Sequence, residues 1–395
     1  MLYNDRKIAG ERTDARAGGR SSGRRRREAG GRRGNAAGAA GTRTVVHVCT
    51  MCGGGAVAIS LKDVAEHAGV SVKTVSNVVN GYRHVTPATR QRVQQVIDEL
   101  GYRPNLTARH LRKGRTGIIA LALPELGNPY FAELADAVIN YAAGLDLIVL
   151  LDHTYGRRDQ EVLFAQGFRA RLIDGLILSP IELENEDLLA RGHDAPLVLL
   201  GEREYEAPYD HIAIDNVAAA RTATRHLLDL GRRRIAFIGA RHGRSRQPAH
   251  LRLRGWRETV TAAGAAADDA LVAGTDGYTR RDGAQAMARL LDSGTAPDAV
   301  FCYNDLIAIG AMRTLTERGL RVPEDVAVVG FDDIEEGRYC TAALTTIAPH
   351  KQAIARAAVD ALLARLEGGA EGTAGSRRVR PGFALVPRES TLGRP

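Results

Sequence analysis

The sequence predicts an α/β protein carrying a small all-helical head, and three observations predict it. The stretch "LKDVAEHAGVSVKTVSNVVNG" packs two short helical periods around one glycine, Gly69. From Thr116 onward, short apolar runs alternate with longer amphipathic segments, the pattern of parallel strands with covering helices. Charge is also segregated along the chain. Residues 1–58 hold 12 Lys+Arg and 4 Asp+Glu, a balance of +8, and residues 59–116 hold 10 and 4, or +6. The other 279 residues hold 32 and 38, or −6, which closes on the net +8 of all 395. Two basic pieces at one end point to a nucleic-acid partner there.

Residues 1–58 are Gly, Ala and Arg with almost no aliphatic period. Such a segment cannot bury enough surface to offset its ordering entropy, so it is expected to be a disordered basic tail. Val57 stands where an alternative start would fall, and N-terminal sequencing of the native protein tests that. The apolar stretch "TVVHV" is too short for a secretory core of about 7–15 residues, and no run approaches a membrane span of about 18 residues. A cytoplasmic protein is expected.

Cys49, Cys52, Cys302 and Cys340 are too few for a disulfide framework in a chain this long. The lone Cys49-Thr50-Met51-Cys52 has no second pair, so no metal and no cofactor are expected.

Residues 59–104 read as three helices. Ser60 and Asp63 stand as a capping box, Leu61, Val64, Ala65 and Ala68 keep helical spacing, and Gly69 ends the first helix. Ser71 caps the second, whose inner face is Val75, Val78 and Val79. Thr86-Pro87 opens a third, with Val93, Val96, Ile97 and Leu100 on one side and Gly101 at its end. Helix, turn and helix make a helix-turn-helix, whose second helix enters the major groove. Its outer face presents Val72, Lys73, Ser76 and Asn77. Lysine donates to guanine, asparagine pairs with adenine, and valine meets a thymine methyl. Thr74 and Ser76 bring hydroxyls toward phosphates, and Ser71 at the start of the helix is counted with the DNA-binding residues.

Beyond Thr116 nine strand-like runs appear, from "GIIALALP" to "ALTTIAP". Nine strands over roughly 280 residues are enough for two sheets and two subdomains.

The segment "LKDVAEHAGVSVKTVSNVVNG" closely resembles the headpiece of the lactose-repressor/galactose-repressor (LacI/GalR) family of bacterial transcription regulators. The likeness continues through "VTPATRQRVQQVIDELGYRPNLTARHLRKGRT" to "FALVPRES", covering all but the tail. It implies a headpiece at 59–104 and a hinge helix at 105–116. It also implies a two-lobed regulatory domain at 117–395 that resembles periplasmic sugar-binding proteins. Lobe 1 would take about 117–216 and 349–379, and lobe 2 about 217–346 and 380–395. In the hinge, Leu111 matches the family leucine that wedges into the minor groove, with Arg112 near phosphate. A homodimer is expected, since no leucine heptad follows "VPRES".

A ligand in such a domain sits between the lobes, outside the carboxyl ends of the strands. Tyr130 and Phe131 follow the first strand as aromatic walls. Arg252 matches the family arginine that grips ligand oxygens, with Arg246 as a second contact, and Asp332 matches the family acid that accepts from ligand hydroxyls. Tyr278 and Asn304 follow neighbouring strands. An arginine and an aspartate at two strand ends suit a polyol, in which each hydroxyl both donates and accepts. The basic "GARHGRSRQ" also suits an acidic or phosphorylated ligand.

The expected protein is a sequence-specific DNA-binding repressor controlled by a carbohydrate-like effector, its partners being operator DNA and that effector. The alternative is a sugar-binding transport protein of the same fold, which would need export and has no use for the headpiece. An enzyme is disfavoured. There is no Walker loop or dinucleotide fingerprint, and the one G-x-S-x-G, Gly19 to Gly23, lies in the tail.

Overall fold

The structure is a computed structural model of the 395-residue chain. It describes residues 59–79, 81–102, 114–168, 171–192, 195–201, 203, 205–241, 248–265, 267–368 and 376–393. The tail, Leu111, Arg112 and Arg246 lie outside the described residues.

Three helices open the described chain: α1 (Leu61–Ala68), α2 (Val72–Val79) and α3 (Pro87–Leu100). Val64, Ala65, Ala68, Val75, Val78, Val93 and Tyr102 are their buried core. Gly69 ends α1 at φ +62°, where a side chain would be strained, and Val70 N–H returns to the Ala65 carbonyl at 3.0 Å. Ser71 Oγ accepts from Thr74 N–H at 3.1 Å and starts α2. Thr86 caps α3 with Pro87 in its first turn, and Gly101 closes it in the left-handed region.

The rest is two six-stranded sheets. The first has the order β11-β5-β4-β3-β1-β2: β1 (Ile118–Leu123), β2 (Ile148–His153), β3 (Gly175–Leu178), β4 (Leu197–Leu200), β5 (Asp210–Ile212) and β11 (Arg378–Val379). All its pairings are parallel. The second has the order β12-β10-β9-β8-β6-β7: β6 (Ile235–Ala240), β7 (Val272–Gly274), β8 (Ala299–Cys302), β9 (Ala327–Phe331), β10 (Thr345–Pro349) and β12 (Phe383–Val386). Only β12 runs antiparallel.

The crossover helices are α4 (Pro129–Ala143), α5 (Arg158–Ala165), α6 (Asn185–Leu189), α7 (Asn216–Asp229), α8 (Pro248–Ala262), α9 (Arg280–Asp292) and α10 (Asp305–Glu317). They are followed by α11 (Glu335–Arg338), α12 (Lys351–Gly368) and α13 (Glu389–Leu392). Burial of β1, β3, β4, β6, β8 and β9 on nearly every residue explains their unbroken apolar runs. The fold is thus an all-α helix-turn-helix headpiece followed by a two-lobed, periplasmic-binding-protein-like α/β domain.

Candidate nucleic-acid interface and effector cleft

On α2, Val75 and Val78 point into the core and leave the opposite side to solvent. Val72 is 44% exposed and Lys73 is exposed, while Ser76 and Asn77, one turn on, are half-buried beside them. These four residues form one patch on one helix face. Ser71 and Thr74 differ: their hydroxyls lie 2.9 Å apart and Ser71 Oγ already caps the helix, so both begin as parts of the turn. Tyr82 was not among the sequence candidates. It is 56% exposed just after the helix, edge-on to His84 at 5.5 Å, with its carbonyl held by Arg90 at 2.7 Å. An aromatic following an Asn-Gly turn was the signal available for it.

A cleft of about 1060 Å³, counting open solvent at its mouth, lies between the two sheets. Apart from Arg252 on α8, its polar residues come from the carboxyl ends of strands: Glu125 and Asn128 after β1, Ser179 after β3, and Arg203 after β4. Arg241 follows β6, Tyr278 β7, Tyr303 and Asn304 β8, and Asp332 β9. Of the seven sequence candidates, Tyr130, Phe131, Arg252, Tyr278, Asn304 and Asp332 line this cleft.

Each is held differently. Asn128 caps α4 by accepting from Tyr130 N–H at 3.1 Å, and Tyr130 and Phe131 then meet edge-to-face at 5.2 Å. Arg252 is only 3% exposed. Its Nε donates to Asn216 Oδ1 at 2.8 Å, its Nη1 to the Tyr303 carbonyl at 2.5 Å, and its guanidinium lies 3.4 Å from the Phe331 ring centre. Tyr278 stacks on Tyr303 at 3.9 Å. Asn304 Oδ1 caps α10 through Ile307 N–H at 2.9 Å, and its Nδ2 reaches the Tyr278 carbonyl at 3.2 Å. Much of its hydrogen-bonding capacity therefore serves the fold.

Asp332 sits at φ +114°, an expensive conformation for any residue with a side chain. Its N–H is anchored on the Ile347 carbonyl at 2.8 Å. Asp333 follows at φ +49°; burial pushes its carboxyl up, but hydrogen bonds and charge from Arg388 and Arg338 outweigh this and hold it below the usual range. Beneath them Asp305 is buried, taking Thr346 Oγ1 at 2.7 Å and Ile334 N–H at 2.9 Å. Burial pushes its carboxyl up to about 7. Gly330 is required here, because a Cβ at that position would stand 2.1 Å from Asp305 Oδ1. The strained loop is thus clamped from below, as a preformed site requires.

Sequence reading passed over Glu125, Ser179, Arg203 and Tyr303. Their common signal is position within three residues of the end of a buried strand. Trp256 lies in the second lobe's core, as its place on α8 suggests. Among the described residues no group of three His, Cys, Asp or Glu could hold a metal, and no helix is long and apolar enough to cross a membrane.

A helix-turn-helix joined to a two-lobed ligand-binding fold defines a class, that of ligand-responsive DNA-binding regulators. Comparison with known proteins gives the family. Residues 60–105 match the model for bacterial regulatory proteins of the lacI family, and residues 224–391 match a periplasmic binding protein-like domain. The CytR transcriptional repressor of Escherichia coli K12 is 33% identical over 340 residues, covering 86% of this chain and 98% of its own.

Among solved structures, a LacI-family regulator from Sanguibacter keddieii is 48% identical, with a TM-score of 0.66 over 71% of this chain and all of its own. The CelR–cellobiose complex is 31% identical (TM-score 0.62; 84% and 99% covered). The lac repressor dimer bound to operator and the anti-inducer ONPF is 29% identical (TM-score 0.67; 85% and 99%). The chain belongs to the LacI family and is a DNA-binding transcriptional regulator.

Proposed function

We propose that this regulator is a homodimeric repressor. Val72, Lys73, Ser76 and Asn77 read operator bases, Thr74 and Ser71 set the register on phosphate, and a carbohydrate or carbohydrate derivative binds between the lobes. The observation that carries the ligand class is the pairing of Arg252 with Asp332. A buried guanidinium and a nearly buried carboxylate face one cleft beside aromatic rings, a donor-and-acceptor set suited to neighbouring hydroxyls. Cellobiose bound in the related CelR supports the same class. Exposed Ile139 on α4 and Ile148 and Leu151 on the edge strand β2 supply apolar surface for a partner subunit.

Effector and operator then favour different lobe arrangements, with a coupling of about 1–3 kcal/mol that is reciprocal. The test is a thermal-shift screen of mono- and disaccharides, nucleosides and sugar phosphates on the full chain. It is followed by titration of an operator selected from random DNA, with and without the hit. A hit that raises the melting point but leaves operator affinity unchanged would overturn effector control. A phosphorylated hit would turn attention to Arg203 and Arg241, which add two guanidinium groups to the lining.

A further inference from the structure

We infer that Lys351 and Glu133 form a clasp between the lobes, making them positioning residues that set the arrangement in which Tyr130 and Phe131 face Asp332. This rests on the cleft reading above, but its test does not.

Glu133 lies on α4 one turn beyond Tyr130, and Lys351 opens α12, which packs on α4. The two belong to the first lobe and are joined by a 2.5 Å ion pair, with Lys351 Nζ 5.8 Å from the Tyr130 ring centre. Each also reaches into the second lobe. Lys351 Nζ donates to the Asp333 carbonyl at 2.9 Å, and Glu133 Oε1 accepts from Glu335 N–H at 3.2 Å. The ion pair therefore holds the backbone of the loop that carries Asp332.

Burial makes the arrangement consequential. The Lys351 side chain is 9% exposed, and a lysine so placed needs its partners. Opening the cleft would strip the ammonium of the Asp333 carbonyl and Glu335 N–H of its acceptor. The next amide on the loop gives an internal contrast: Ile334 N–H is held by Asp305 at 2.9 Å, within its own lobe. Adjacent amides of one loop thus report on two different things, the clasp and the lobe.

Amide hydrogen exchange resolved at Ile334 and Glu335 in the full chain tests the inference. Lys351→Met keeps the aliphatic stem and does not touch the Glu335 hydrogen bond directly. It should nonetheless speed exchange at Glu335 about tenfold while leaving Ile334 near its wild-type rate. Should Lys351→Met fold poorly, Glu133→Ala at a more exposed position should give the same selective loss.

The exchanged pair Glu133→Lys/Lys351→Glu separates a clasp from a packing contact. It restores the ion pair but sets a carboxylate against the Asp333 carbonyl, so thermal stability should recover only in part; a lysine at 133 cannot accept from Glu335 N–H, so fast exchange should persist. Equal acceleration at both amides, an unchanged Glu335 rate in Lys351→Met, or full recovery in the exchanged pair would each overturn the clasp. None of these outcomes would move Arg252 or Asp332 out of the cleft.

Discussion

The headpiece and the cleft solve recognition in opposite ways. The residues proposed to face DNA lie within one stretch, 71–77, over a core of seven buried residues. Their side chains stand in solvent or half-buried and, apart from the Ser71 cap on α2, hold up little of the fold. The cleft draws on residues from 125 to 354, and its central polar groups are buried and bonded to the framework. Recognition of a large charged polymer needs an exposed surface, because the partner brings its own bulk. Recognition of a small molecule needs groups desolvated beforehand, and these can be kept in place only by the fold. Substitutions on the exposed face of α2 should therefore change function alone, and substitutions of cleft residues bonded into the framework, such as Arg252, should change function and stability together.

The sharpest attempt to break this contrast is Arg252→Ala. It leaves Asn216 Oδ1 and the Tyr303 carbonyl without their donor and opens space beside Phe331. A loss of about 3 kcal/mol is expected, together with loss of effector response. Urea unfolding checks it; an unchanged midpoint would mean that a buried cleft residue behaves like a surface one. Lys73→Ala is the matching experiment on the other side. It should weaken operator binding by about 1–3 kcal/mol if the base contact is bidentate, weaken random DNA much less, and leave the unfolding midpoint within about 0.5 kcal/mol. Equal losses on both DNAs would reduce Lys73 to a phosphate contact.

The same contrast explains what was legible in the sequence. The helix-turn-helix could be read almost residue by residue, because helical period, caps and exposed face are local. All nine apolar runs fall on strands. The three strands not anticipated, β7, β11 and β12, have two to four residues each and lie at sheet edges, where little burial marks them. In the cleft, position after a strand together with the family resemblance, which alone singled out Arg252, pointed to six lining residues. What each does there was hidden: Asn304 spends its Oδ1 on a helix cap, and the strain at Asp332 appears only in the backbone. The Lys351–Glu133 pair joins residues 218 apart in sequence and leaves no local pattern at all.

A smaller effect should come from Asp305, the buried carboxylate under the cleft loop. Its folded value, about 7, lies above the ordinary one of 3.8. The native state therefore holds this proton more tightly than the unfolded chain. The contribution is full below about pH 4 and is lost as pH rises through about 7, with a slope of at most about 1.4 kcal/mol per unit. Asp305→Asn should remove that part of the pH dependence. A variant whose stability follows pH as the wild type does would show that Asp305 stays ionised in the folded protein.

The smallest effect on stability is expected at Asp332, and it sharpens the comparison most. Asp332→Gly relieves a backbone at φ +114°, which is worth roughly 1–3 kcal/mol to a residue that has a side chain. Against this stand the loss of the side chain and the wider freedom of glycine in the unfolded chain, about 1 kcal/mol or more in the other direction. The two nearly offset, so the unfolding midpoint should move by no more than about 1 kcal/mol. The response to the effector should vanish, because ligand hydroxyls lose their acceptor while the lobes and the headpiece keep their structure. Operator titration with and without effector reads the second quantity, and urea unfolding the first. If Asp332→Gly destabilises the protein as much as Arg252→Ala, the carboxylate serves the fold. If it unfolds normally and still responds to effector, the acid has no part in the site. Only an intact fold with a silent cleft fits a residue that is held under strain for its ligand.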